Sequence, residues 1–173
     1  MFASLPIAVV SPFIDRRHGT ERAIAELIEC LAARYDCEVH VFAQSVADLR
    51  IVEVRAGETT PSGSLYWHRV PQIPGPHLLR FAAWYVLNRI YRGGTQFDLV
   101  VSPGINCADA DVVIVHALFR RLSELQPADE AGLPGPLRTL HRRAYYRLVG
   151  MLESGFTPPG ARHWPQFPTA RHP

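Results

Sequence analysis

Lysine is absent from the 173-residue chain, so all eighteen basic side chains are arginines. Against sixteen acidic residues they leave a formal net charge of +2, too little for the basic field of a dedicated nucleic-acid binder. Cysteine is scarce as well: Cys30, Cys37 and Cys107 leave one thiol over under any pairing, and none has a partner at C-x-x-C or zinc-ribbon spacing. That usage fits a reduced, cytoplasmic protein. Long apolar runs are missing. The longest, Leu78 to Leu87, is interrupted by Arg80 and falls well short of the roughly 20 residues needed to cross a bilayer. Met1 to Val10 lacks the basic start and small-residue cleavage site of a signal peptide. No repeat of solenoid period is visible. What is present, 47% hydrophobic and 20% charged residues, supports one globular core and excludes long disorder, collagen and coiled coil.

Leu5 to Val10 is a continuous apolar run suited to a strand buried on both faces. A loop from Ser11-Pro12 to Gly19 follows. Ile24, Leu27, Ile28 and Leu31 then recur at helical spacing, with Thr20 placed to cap and Glu21, Arg22, Glu26 and Glu29 on the opposite side. Cys37 to Ala43 (CEVHVFA) reads as the next strand, and this order predicts a parallel βαβ unit. Ile51 to Val54 and Leu65 to Val70 have strand character. His77 to Tyr91 predicts a helix entered through Pro74-Gly75-Pro76, with Leu78, Leu79, Phe81, Trp84, Tyr85, Leu87 and Ile90 as its apolar content. Phe97 to Val101 and Val112 to Val115 are the later strands. A last helix is expected from Pro134 to about Glu153, carrying a basic stripe of Arg138, Arg142, Arg143 and Arg147. Residues 154–173 hold five of the fifteen prolines and no apolar periodicity, which reads as a disordered tail.

The first turn of the helix opening at Gly19 offers free backbone N–H groups to a phosphate, as any helix entry does. Neither G-x-G-x-x-G nor G-x-x-x-x-G-K-[ST] occurs, so dinucleotide and P-loop sites are poor fits. His116 ends the strand Val112 to Val115, where ligands gather in open α/β sheets; the plain alternative is a hydrogen-bonded core histidine. Ser102, Pro103, Gly104 and Asn106 follow the preceding strand and line the same edge or simply make a turn. Arg120 and Arg121 are placed to neutralise a phosphate, or are solvated.

Taken in order, Ser11-Pro12-Phe13, HGTERAIAELIECLA (His18 to Ala32), CEVHVFA, DLVVSPG (Asp98 to Gly104) and DVVIVHALFRR (Asp111 to Arg121) resemble the N-terminal domain of family-4 glycosyltransferases. The resemblance covers roughly residues 5 to 153. It implies a Rossmann-like parallel sheet with helices on both faces, one half of a GT-B architecture, with a domain at residues 1–153 and the tail beyond. It implies the acceptor-side half of a retaining, hexosyltransferase-type enzyme that moves a sugar from a nucleotide sugar to a sugar, lipid-linked sugar or small molecule. The same resemblance implies no metal and no cofactor; with the small net charge and the cysteine usage, the expectation is no nucleic-acid partner and a cytoplasmic location compatible with contact at the inner face of a membrane. His116 would contact the donor sugar, Gly19 and Thr20 the donor diphosphate, and Ser102, Gly104, Asn106 and Arg120 the acceptor side. The chain departs from the family pattern at His18, where the first glycine of a pair usually stands, and at Leu118, where many members have a second histidine. Glu21 and Glu29 have the family's E-x7-E spacing, but on the solvent face of the first helix rather than in the donor-binding domain. The resemblance ends short of that domain, and the expectation is a truncated product. A non-catalytic Rossmann-like binding fragment is the alternative, while a flavodoxin-like or regulator domain would want an acidic cluster or flavin loop that is not evident.

Overall fold

A computed structural model describes residues 5–17, 19–54, 65–115, 144–145 and 147–152. The chain divides into two compact units, Met1–Ala117 and Leu118–Pro173. In the second, residues 144–145 and 147–152 are helical; the remainder of the expected last helix and the proline-rich tail lie outside the described residues.

The first unit is built on β1 (Pro6–Val10), β2 (Phe13–Asp15), α1 (Gly19–Tyr35), β3 (Glu38–Ala43), β4 (Ser45–Ala47), β5 (Val52–Val54), β6 (Leu65–Arg69), α2 (His77–Arg92), β7 (Leu99–Pro103) and β8 (Val112–Ile114). Six of these strands form one sheet in the order β5-β6-β3-β1-β7-β8, and each neighbouring pair is parallel. The Rossmann-like sheet expected from the sequence is therefore present.

Apolar alternation along β1 and β3 divides the core between the two faces. Ile7, Val9, Val39 and Val41 pack with Ile24, Ala25 and Ile28 of α1. Ala8, Val10 and Phe42 pack with Trp84 of α2 and with Val70, Val100 and Cys107. Helices on opposite faces follow from the winding. From β1 the chain moves to β3 and beyond on one side, then returns through α2 to β7 on the other side of β1. Crossovers of one hand running in opposite directions place their helices on opposite faces.

Local details differ from the sequence pattern. Leu27, expected in the core, is 38% exposed, because the buried stripe of α1 runs through Ile24, Ala25 and Ile28 and leaves Leu27 beside it. Leu79 and Ile90 of α2 are exposed, and the positions buried there are Trp84, Asn88 and Arg92. β7 starts two residues later than expected and reaches Pro103, since Ser102 and Pro103 find partners in Val113 and Ile114. The expected loop after Ser11-Pro12 contains β2, paired in parallel with β4. Its register, Phe13↔Ser45 to Asp15↔Ala47, keeps the offset of Pro6↔Glu38 to Val10↔Phe42, so β2 and β4 continue the β1/β3 ladder beyond a break. The break falls at Pro12, which has no N–H to donate; its carbonyl still accepts from Gln44 N at 2.9 Å. Ile14 of β2 is buried against the α1 side of the core.

Candidate functional site

In a parallel sheet all the loops that follow strands leave from one edge, and ligands gather where the winding reverses. Here that point lies between β1 and β7, which are paired from Ile7↔Leu99 to Val9↔Val101. The segment after β1 runs through β2 into α1, whose first turn contains Gly19 and Thr20. A Cβ at Gly19 would meet nothing within 4 Å, and its φ is not in the left-handed range. Neither packing nor backbone geometry demands glycine there. Thr20 Oγ1 donates to Glu21 Oε2 at 3.0 Å rather than to a backbone group.

The end of β7 and the turn after it are bonded chiefly to each other. Ser102 is fully buried, donates its hydroxyl to Gly104 O at 2.7 Å and accepts from Asn106 N at 3.2 Å. Asn106 Nδ2 donates to Pro103 O. Gly104 turns the chain at φ +83°, a conformation that disfavours any side chain, and its N–H donates to Ile114 O at 2.9 Å. Ser102 thus shapes the loop with its hydroxyl, and Gly104 is tied to the end of β8. His116 and Arg120 lie outside the described residues, as does His18. Glu29, the second half of the E-x7-E spacing, is paired with Arg16. The structure brings the β1 and β7 loops to one edge through parallel pairing, and Ser102, Gly104 and Asn106 into one bonded turn.

Beneath this turn runs a polar network that the sequence pattern did not disclose. Asn88, fully buried on α2, donates to Trp84 O at 2.7 Å, Tyr85 O at 3.1 Å and Asn106 O at 3.1 Å. Its side-chain oxygen accepts from Arg92 Nη2 at 3.2 Å. Arg92 Nη2 also reaches Asp109 Oδ1 at 2.6 Å. Burial pushes the Asp109 carboxyl upward, but the hydrogen bond and charge of Arg92 outweigh it and hold the group below the usual carboxylate range. Cys107, buried beside this network, is pushed up by burial and stays a thiol. The spacing Trp84, Asn88, Arg92 places all three on one helical face. That was the available signal: two polar residues in register with a tryptophan.

A second cluster spans β3 and β6 on the α2 face. His40 Nδ1 and His68 Nε2 are 2.8 Å apart, and His40 Nε2 lies 3.1 Å from Glu38 Oε1. His68 stacks on Phe42 with ring centroids 4.7 Å apart. Burial, followed by the neighbouring His40, depresses His68 to about 4. Burial also lowers His40, against the opposing pull of Glu38.

Among the described residues, no helix is long and apolar enough to cross a membrane, and no group of three or more His, Cys, Asp or Glu side chains is arranged to hold a metal ion. The fold defines a class: a Rossmann-like α/β unit built on a six-stranded parallel sheet. Among solved structures it is similar to WaaG, a glycosyltransferase involved in lipopolysaccharide biosynthesis, with a TM-score of 0.60 and 18% identity over 89% of this chain. It is also similar to sucrose-phosphate synthase from Thermosynechococcus elongatus, with a TM-score of 0.46 and 15% identity over 81% of this chain. The chain spans 36% of the WaaG chain and 39% of the sucrose-phosphate synthase chain. No family model and no curated protein matches it.

Proposed function

We propose that this chain supplies the acceptor-side wall of a retaining glycosyltransferase, in which a hexosyl group passes from a nucleotide sugar to an acceptor hydroxyl. The observation that carries the reading is the switch point. β1 and β7 are adjacent and parallel; the segment leaving β1 leads to Gly19 and Thr20 at the start of α1, and the end of β7 with the turn after it holds Ser102 through Asn106. In this reading the first-turn N–H groups at Gly19 and Thr20 meet the donor diphosphate, where the helix dipole favours negative charge. Gly104 and Asn106 border the acceptor, His116 contacts the donor sugar, and Arg120 offsets a phosphate on donor or acceptor. The similarity of fold to WaaG supports the assignment at the level of architecture. Residues 1–153 form the domain, and a nucleotide sugar and a sugar or lipid-linked acceptor are its partners. The protein works in the cytoplasm or at the inner face of a membrane. Transfer needs donor and acceptor ordered in one desolvated cleft, and this domain contributes one of its two walls.

A non-catalytic binding module is the second reading, favoured by the internal bonding of the β7–β8 turn, in which Ser102 Oγ and Asn106 Nδ2 are both engaged. Titration of the full chain with UDP-glucose, UDP-N-acetylglucosamine and GDP-mannose, followed by amide NMR, separates the two. The glycosyltransferase reading expects shifts at residues 19–20 and 104–106. Because a methyl group at Gly19 has free space in the protein, Gly19→Ala reads close approach of the ligand. We expect it to weaken binding about tenfold with little change in Tm, and His116→Ala to weaken it by a similar factor. Shifts confined to the opposite edge, around Pro6, Glu38 and Leu99, would overturn the assignment. Absence of any nucleotide-sugar response would favour the binding module.

A further inference from the structure

A cavity of about 360 Å³ opens between the second half of α2 and the chain before β8. Three of its features point to a ligand. The first is Arg92, whose side chain is only 6% exposed. Its Nε and Nη2 are engaged by Asn88 and Asp109, while Nη1 has no hydrogen-bond partner among the described residues. Nη1 is therefore the nitrogen of Arg92 with hydrogen bonds left to give, in a residue that lines the cavity. A buried guanidinium with one open edge is an anion receptor held in place by its other bonds.

The second feature is the balance of charge. Arg89 and Arg92 face the cavity against the single carboxylate of Asp109, leaving one net positive charge. Burial, with Cys107 and Asp109 next in effect, raises Tyr85, so its phenol stays protonated at neutral pH. The third is the wall. Val86 and Ile90, 58% and 63% exposed, present uncovered apolar surface beside these polar groups. A bare inorganic ion would satisfy Arg92 and leave that wall wet. The volume lies at the small end of the range for ligand sites, roughly 300–1,000 Å³.

We propose that this cavity is a binding site for a small organic monoanion, a carboxylate on a compact aromatic or branched apolar body, with the carboxylate on Arg92 and Arg89 and the body against Val86 and Ile90. Occupancy would reach the turn at the switch point without a moving wire. Arg92 is bonded to Asn88, Asn88 to Asn106 O, and Asn106 N to Ser102 Oγ, so a ligand that firms Arg92 firms the 104–106 turn. The site itself does not depend on the sugar-transfer reading, because its test measures binding rather than transfer.

The full chain is titrated with benzoate, benzyl alcohol, benzylamine and inorganic phosphate, with amide NMR as readout. Benzoate is expected to saturate in the millimolar range or tighter, shifting amides of residues 85–92 and 106–110. Benzyl alcohol and benzylamine should bind at least about tenfold more weakly, since each lacks the anion that a charge-assisted hydrogen bond requires. Arg92 is buried and its replacement threatens folding, so the variants are Arg89→Gln and Val86→Asp at exposed positions. The first should weaken benzoate several-fold, and the second, which places a carboxylate on the apolar wall, should abolish saturation. Equal binding of benzyl alcohol, phosphate matching benzoate, no saturable response to benzoate, or benzoate binding unchanged in Val86→Asp would each overturn the proposal.

Discussion

The two faces of the sheet are held by different chemistry. On the α1 face, Ile7, Val9, Val39 and Val41 meet Ile24, Ala25 and Ile28, a wholly apolar contact. On the α2 face, Ala8, Val10 and Phe42 share their layer with His40 and His68, and α2 turns Asn88 and Arg92 inward. Apolar packing is non-directional and tolerates rearrangement; buried polar groups are costly unless each meets its partner, so they fix one arrangement. The α1 face accordingly serves stability, whereas the α2 face fixes the turn after β7 relative to the sheet.

The comparison breaks most visibly at Ile28. Ile28→Ala opens a cavity in the apolar face and should cost about 3 kcal/mol in urea denaturation, with the same loss at neutral and mildly acidic pH. Asn88→Ala tests the other face. It leaves Asn106 O and Arg92 without their buried partner and should cost about 2 kcal/mol. Its signature is faster amide hydrogen exchange in residues 104–110, which Ile28→Ala should not share except through global unfolding.

The third test is pH. With His68 near 4 in the folded state against an ordinary value of 6.5, the unfolded chain takes up the proton first. This contribution to stability is therefore complete above about pH 6.5 and is lost as pH falls toward about 4. Partial solvent access to the ring reduces the expected loss to about 1 kcal/mol over that window. His68→Leu should flatten this part of the pH profile measured by thermal denaturation; an unchanged slope would show that the pair is not its source. The smallest effect is expected for Ser102→Ala, about 0.5–1 kcal/mol, because one hydroxyl is removed while Asn88 still holds the turn through Asn106 O.

Much of the fold was legible because the strands are buried on both faces and read as apolar runs. CEVHVFA and DLVV announce themselves in this way, and α1 does so through its period. The short β2 and β4 were not legible, since three-residue strands carry no periodicity and pair only as an extension of a longer ladder. In α2, abundant apolar residues concealed the orientation. Leu79 and Ile90 look like core positions, yet Trp84, Asn88 and Arg92 are buried because a partner for each polar group exists in the 106–109 segment. That partner is distant in sequence and invisible to local pattern. The candidate site was legible as a location, at the strand ends, but not in detail: nothing local told that Ser102's hydroxyl bonds within its own turn.

The shared offset of β1/β3 and β2/β4 bears on how this chain can change length. The pairing resumes beyond Pro12 with no residue gained or lost on either strand. Deleting one residue between Val10 and Phe13 would shift β2 against β4 and carry Ile14 from the core to the surface, because side chains alternate between faces. A compensating deletion between Phe42 and Ser45 would restore the match. Insertions and deletions at these two sites are thus acceptable in pairs and damaging singly, so the two segments are constrained to vary in length together.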